Sequence, residues 1–137
     1  MFRLISVSAL VFACSLAAGC DDDAVPTTPV EPPVQVNETF PGTLNLFGAA
    51  IHTFTTLQTG QATATITSLA PDSGARVSFM FGTWNGQFCT VTFVKDDATT
   101  GTAFVGNASG PGSFCVRIAD IGLLTAPTEY SITVSHF

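Results

Sequence analysis

Basic side chains are scarce. The 137-residue chain holds four Lys and Arg against ten Asp and Glu, with a net charge of −6 at neutral pH. Arg3 stands at the very start, which leaves Arg76, Lys95 and Arg117 for everything that follows. Three scattered cations cannot build a phosphate-neutralising patch, which argues against nucleic acid as a partner. Histidine is as rare: His52 and His136 are the only two. Neither shows zinc-ligand spacing to a cysteine, and no Ser-His-Asp order is recognisable. Both read as structural or surface residues.

Long apolar runs are absent too, with one exception. Leu4 to Ala18 carries no charge. It is too short for a comfortable membrane span, which takes ~20 residues. A basic tip at Met1-Phe2-Arg3, an apolar middle and small residues at the end give residues 1–19 the form of a secretory signal peptide. Ala17, Ala18 and Gly19 run directly into Cys20. This resembles the bacterial lipobox, with Leu16 one place early and Ala17 where Leu is commonest. The resemblance implies cleavage before Cys20, whose thiol forms a thioether to diacylglycerol and becomes the anchor, with palmitate among its acyl chains. Each buried CH₂ contributes ~0.8 kcal/mol, and one chain alone is marginal. Cys14 falls in the discarded segment. The plain alternative is an ordinary signal peptide that leaves Cys20 as a free thiol. Asp21, Asp22 and Asp23 then hold the chain off anionic headgroups. That acidic cluster resembles both an inner-membrane retention signal and a surface-export tag, and the two remain open. The expected location is the bacterial cell envelope, lipid-anchored and facing the periplasm or the exterior.

Residues 20–38 read as a lipid-anchored, acidic, Pro-rich tether. Pro26, Pro29, Pro32 and Pro33 forbid helix and disfavour sheet ladders. As an extended spacer at ~3.1 Å per residue, the stretch from Asp21 to Asn37 reaches on the order of 50 Å. Residues 39–137 then form one domain of about a hundred residues, enough for a single core.

Thr, Val, Phe, Gly and Ala abound in that domain, and no helical period is evident. In "QATATITSLA", Ala62, Ala64 and Ile66 share one face of a half-buried strand. "RVSFMF" aligns Val77, Phe79 and Phe81, "SFCVRIAD" aligns Phe114, Val116 and Ile118, and "EYSITVSHF" aligns Tyr130, Ile132 and Val134. "FCTVTFV" is a further strand with Val91 and Phe93 inward, and "TAFVG", "GTLNL" and "HTFTTL" complete the set. Pro71–Gly74 is a turn, Asn85-Gly86 suits a type I′ hairpin, and Lys95–Gly101 is a loop. Seven to eight strands at this spacing predict an all-β fold, an antiparallel β-sandwich. In an exported domain Cys89 and Cys115 predict a disulfide, the alternative being two buried thiols. Simple alternation places the two sulfurs on different faces. The disulfide is expected to prevail and the alternation to break, through a bulge or a reversed strand.

The signatures "GTL" (Gly42–Leu44), "HTFTTLQTGQATATITSL" (His52–Leu69), "GSFCVRI" (Gly112–Ile118) and "YSITV" (Tyr130–Val134) occur in an order that resembles the bacterial pre-peptidase C-terminal (PPC-like) domain. The resemblance covers Thr39 to Phe137. It implies a jelly-roll-like β-sandwich that serves as an accessory module of secreted enzymes, some members binding calcium or matrix polymers. This chain departs from that pattern in having no attached enzyme, its own lipid anchor and a Cys pair.

Two candidate ligand sites stand out. Asp96 and Asp97 form the densest acidic spot of the domain, a calcium candidate whose alternative is a solvated turn, because D-x-D-x-D spacing is lacking. Trp84 at the hairpin could stack on a sugar, or simply hold the sheet edge. Paired carboxylates for acid–base work would need a pocket that small sandwiches seldom supply, so no enzyme is expected. The expected function is a non-catalytic binding or accessory role toward an envelope protein or polysaccharide. The alternative is a calcium- or carbohydrate-dependent adhesion module, or an accessory partner of a secreted peptidase.

Overall fold

The computed structural model describes residues 31–137. The signal segment, Cys20 and the first part of the tether lie outside the described residues. Eight strands follow: β1 (Val36–Leu44), β2 (Ala49–Thr56), β3 (Gly60–Ala70), β4 (Val77–Trp84), β5 (Cys89–Ala98), β6 (Ala103–Ala108), β7 (Gly112–Ala119) and β8 (Thr128–His136). They form two four-stranded antiparallel sheets, ordered β1-β8-β3-β6 and β2-β7-β4-β5. Each strand of the first half pairs with its mirror image in the second: β1 with β8, β2 with β7, β3 with β6, β4 with β5. This is one long hairpin, with its apex after Trp84, rolled into two layers by the added pairings β3·β8 and β4·β7. The result is an eight-stranded jelly-roll sandwich.

Alternation accounts for most of the core. Ala62, Ala64, Ile66, Val77, Phe79, Phe81, Val116, Ile118, Tyr130, Ile132 and Val134 are all buried between the sheets. In β3 the inward set then skips to Leu69, because a register shift between Ile66 and Ser68 inserts Thr67 opposite β8. The sandwich also starts earlier than residue 39: Val36, Asn37 and Glu38 already pair with His136, Ser135 and Val134.

The region around β5 departs most from expectation. Lys95–Ala98 is strand rather than loop, and β5 is an edge strand on which Val91 and Phe93 remain 43% and 40% exposed. The hairpin before it is not type I′. Its central residues are Gly86 and Gln87, and only Gly86 has positive φ, at 98°. Asn85 sits one place earlier, where its Oδ1 accepts from the Gln87 and Phe88 amides at 2.9 and 2.7 Å. A capping Asn before the Gly is what the dipeptide signals here.

Cys89 and Cys115 form the disulfide, with Cα atoms 5.8 Å apart. They stand on strands that are not neighbours, since β4 lies between β5 and β7. Two features permit it. A register shift opposite Phe81 and Gly82 leaves Thr92 as an extra residue in β5 and reverses the parity of everything before it. Gly82 lies directly opposite Cys115, and a methyl group there would collide with the Thr90 carbonyl. The missing side chain lets the start of β5 climb over β4 toward β7. Cys115, on the face of β7 away from Val116, is thereby fully buried. Both sheets, the core and this cross-link lie within residues 36–137, so that segment is a self-contained folding unit.

The disulfide spans 26 residues of chain. Replacing both cysteines by alanine should lower unfolding free energy by ~3.5 kcal/mol in the chain-entropy model. Gly82→Ala should block the crossing and leave two titratable thiols. Denaturant midpoints and a thiol assay check both; an unchanged midpoint in the double variant contradicts the first.

Candidate functional site: an apolar tip braced by a buried aspartate

Strand polarity sorts the connections between two ends. The β1 start, the β8 end and the Asn85–Phe88 hairpin lie at one end. The β1–β2, β3–β4, β5–β6 and β7–β8 loops lie at the other. At this second end Leu46, Phe47, Ile121 and Leu123 are all exposed, and Phe47 is 79% so. Nothing between Asn45 and Gly48, or between Ile121 and Thr128, carries charge.

The Phe47 backbone is unusual as well. Asn45 to Gly48 is a tight turn closed by the Gly48 amide donating to the Asn45 carbonyl at 2.9 Å. Its third residue has φ = 54° and is the only non-glycine at positive φ among the described residues. Turn chemistry favours Gly or Asn there, and a bulky side chain at positive φ is an outlier. The tip thus breaks two local rules at one position, turn preference and surface polarity. Such coincidences concentrate at functional sites.

Asp120 holds this tip. Its carboxylate is 5% exposed and accepts four backbone N–H groups. Oδ2 takes Phe47 at 2.8 Å; Oδ1 takes Gly122, Leu123 and Leu124 at 2.9, 2.8 and 3.1 Å. The Asp120 amide in turn donates to the Gly48 carbonyl at 2.9 Å, so the two loops are joined in both directions. Burial pushes the Asp120 carboxyl upward, but the four backbone N–H bonds outweigh it and hold it below the ordinary carboxylate value.

A cleft of about 360 Å³ opens beside the tip, lined by Pro71, Asp72, Arg76, Leu123, Leu124 and Thr128 among others. Asp72 Oδ1 accepts the Gly74 amide at 2.8 Å. Arg76 makes no salt bridge among the described residues. The cleft therefore carries one cation and one anion next to an uncharged apolar protrusion.

The residues singled out from sequence do not converge here. Trp84 ends β4 at the opposite end, half-buried and paired with Cys89. Asp96 and Asp97 lie within β5 instead of a loop, and each has a protein partner. Asp96 Oδ1 accepts the Ser78 hydroxyl at 2.8 Å, and Asp97 stands 3.9 Å from Lys95 Nζ. Among the described residues no three His, Cys, Asp or Glu side chains gather as a metal site. The histidines face the sandwich interior. His52 Nε2 is 2.8 Å from the Tyr130 hydroxyl, and its ring stacks on Phe40. Burial lowers the His52 pKa and raises that of Tyr130. His136 Nε2 donates to Glu38 Oε1 at 2.8 Å.

The tip escaped the sequence reading, although its signal was present. "NLFG" places two bulky apolar residues between turn formers, and "DIGLL" does the same around Gly122. No family model matches the sequence, and no curated protein matches it.

Asp120→Asn keeps one acceptor oxygen but turns an NH₂ toward the Phe47 amide or toward its partners. The variant should lose about 1–3 kcal/mol at neutral pH. Because the folded pKa is depressed, the carboxylate's contribution is complete above pH ~4 and disappears as pH falls through the folded value. Urea midpoints against pH should therefore fall less steeply in acid for Asp120→Asn than for wild type. Parallel curves would contradict this role.

Proposed function

We propose that this chain is a lipid-anchored extracytoplasmic module with a non-catalytic binding role at the bacterial envelope, and that the braced apolar tip is its binding end. The observation that carries the reading is the polarity of the domain. The tether enters at Val36, at one end of the sandwich, while the exposed apolar loops sit at the other. An anchor and a contact surface at opposite ends suit a module held at a membrane and presented outward. The rigidity of the tip favours binding as well, since loops already ordered lose little entropy on association. The lipobox-like Ala17-Ala18-Gly19-Cys20 supports the anchor. The jelly-roll strand order supports the PPC-like resemblance, which implies an accessory part rather than a reaction.

Cells supplied with labelled palmitate should label the protein, and Cys20→Ala should abolish the label and release the chain to the soluble fraction. Full membrane retention of Cys20→Ala would remove the anchor from this reading.

A further inference from the structure

We infer that the apolar tip docks onto a phospholipid bilayer of zwitterionic headgroups, with Phe47, Leu46, Ile121 and Leu123 entering the acyl boundary and the Arg76–Asp72 cleft receiving the headgroup. The inference rests on reading this end as the binding end, and it does not depend on the lipid anchor.

Three observations point to lipid. First, the tip is convex and its backbone donors are already satisfied. Phe47, Gly122, Leu123 and Leu124 donate to Asp120, and Gly48 donates to Asn45. Backbone that enters hydrocarbon must be satisfied internally, because no water is there to receive it. A tip whose N–H groups were left for a partner would suit a protein edge; this one offers side chains only.

Second, the charges complement a zwitterion. Arg76 has no carboxylate in salt-bridge reach among the described residues, and it lines the same cleft as Asp72 and Leu123. A guanidinium suits a phosphate, and a neighbouring carboxylate suits an ammonium. The rest of the domain is acidic, with Glu38, Asp72, Asp96, Asp97, Asp120 and Glu129 against Arg76, Lys95 and Arg117. A strongly anionic surface would repel it, whereas a neutral one would not.

Third, the reach is sufficient. The segment from Asp21 to Asn37 spans on the order of 50 Å when extended. The nine residues of β1 measure about 30 Å at the usual strand rise. A tether longer than the domain lets the tip fold back onto the bilayer that holds Cys20. Attachment at two points then raises the effective concentration of the tip at that surface.

The test uses the chain from Glu31 onward, without the anchor, and vesicles of phosphatidylethanolamine and phosphatidylcholine. Wild type should sediment with these vesicles, and high salt should not release it. Phe47→Asn keeps a residue that tolerates positive φ, so the fold should be retained while partitioning falls about tenfold or more. Leu123→Ser should weaken partitioning similarly, and Arg76→Gln less. Thermal melts establish that each variant is folded. Wild type left in the supernatant overturns the proposal. So does binding confined to phosphatidylglycerol vesicles and reversed by salt, or undiminished binding by folded Phe47→Asn. Failure here alongside Cys20-dependent palmitate labelling would leave an anchored module whose tip meets a protein instead. Loss of labelling with vesicle binding intact would remove the anchor and keep the tip.

Discussion

The Asp120 carboxylate is the interaction on which the loop end depends. Four N–H groups from two different loops converge on it, and a fifth bond returns from its own amide to Gly48. Without that acceptor, four donors would remain near the top of a core that water barely reaches, each costing about 1–3 kcal/mol. The same carboxylate explains how Phe47 can hold a left-handed conformation. Its amide is fixed at 2.8 Å, and its ring lies against Gly122, whose own φ is 94°. Strain at one residue persists only where surrounding bonds over-determine it. Here the bonds that order the β7–β8 loop also hold the β1–β2 turn.

A second constraint acts at the other end of the molecule, through a missing side chain. Gly82 leaves the outer surface of β4 bare, the start of β5 crosses it, and Cys89 reaches a strand two places away. The bulge at Thr92 provides the parity change. The edge strand is thereby pinned at its start while its middle remains exposed. A bulged, twisted and cross-linked edge is a poor template for pairing with another chain, which offsets the risk posed by Val91, Phe93 and Val94 on its surface.

Much of the fold was legible because alternation and burial obey one rule across most strands. Ala62-Ala64-Ile66, Val77-Phe79-Phe81 and Tyr130-Ile132-Val134 each read directly as inward faces. The pairing of Cys89 with Cys115 followed from compartment, and the broken alternation followed from the pairing. What did not follow was the behaviour of β5. Lys95-Asp96-Asp97 has the composition of a loop, yet it continues an edge strand, where polar residues meet solvent and propensity has little hold. Asn85-Gly86 named the right turn but the wrong frame, because the Asn side chain replaces a backbone acceptor. The tip was missed for a related reason. A Leu-Phe pair reads as core by hydrophobicity, and only its place between Asn45 and Gly48 marks it as a turn facing water.

That misreading bears on what the tip is for. A sequence optimised for folding alone would place Gly or Asn at position 47, relieving the backbone and hiding no apolar ring in water. Phe at that position is unfavourable on both counts, and nothing in the core compensates, since its ring touches the domain chiefly at Gly122. The free energy that would offset it therefore has to come from outside the domain. A bilayer surface supplies it without needing a matching pocket, and it is also the surface the tether keeps within reach.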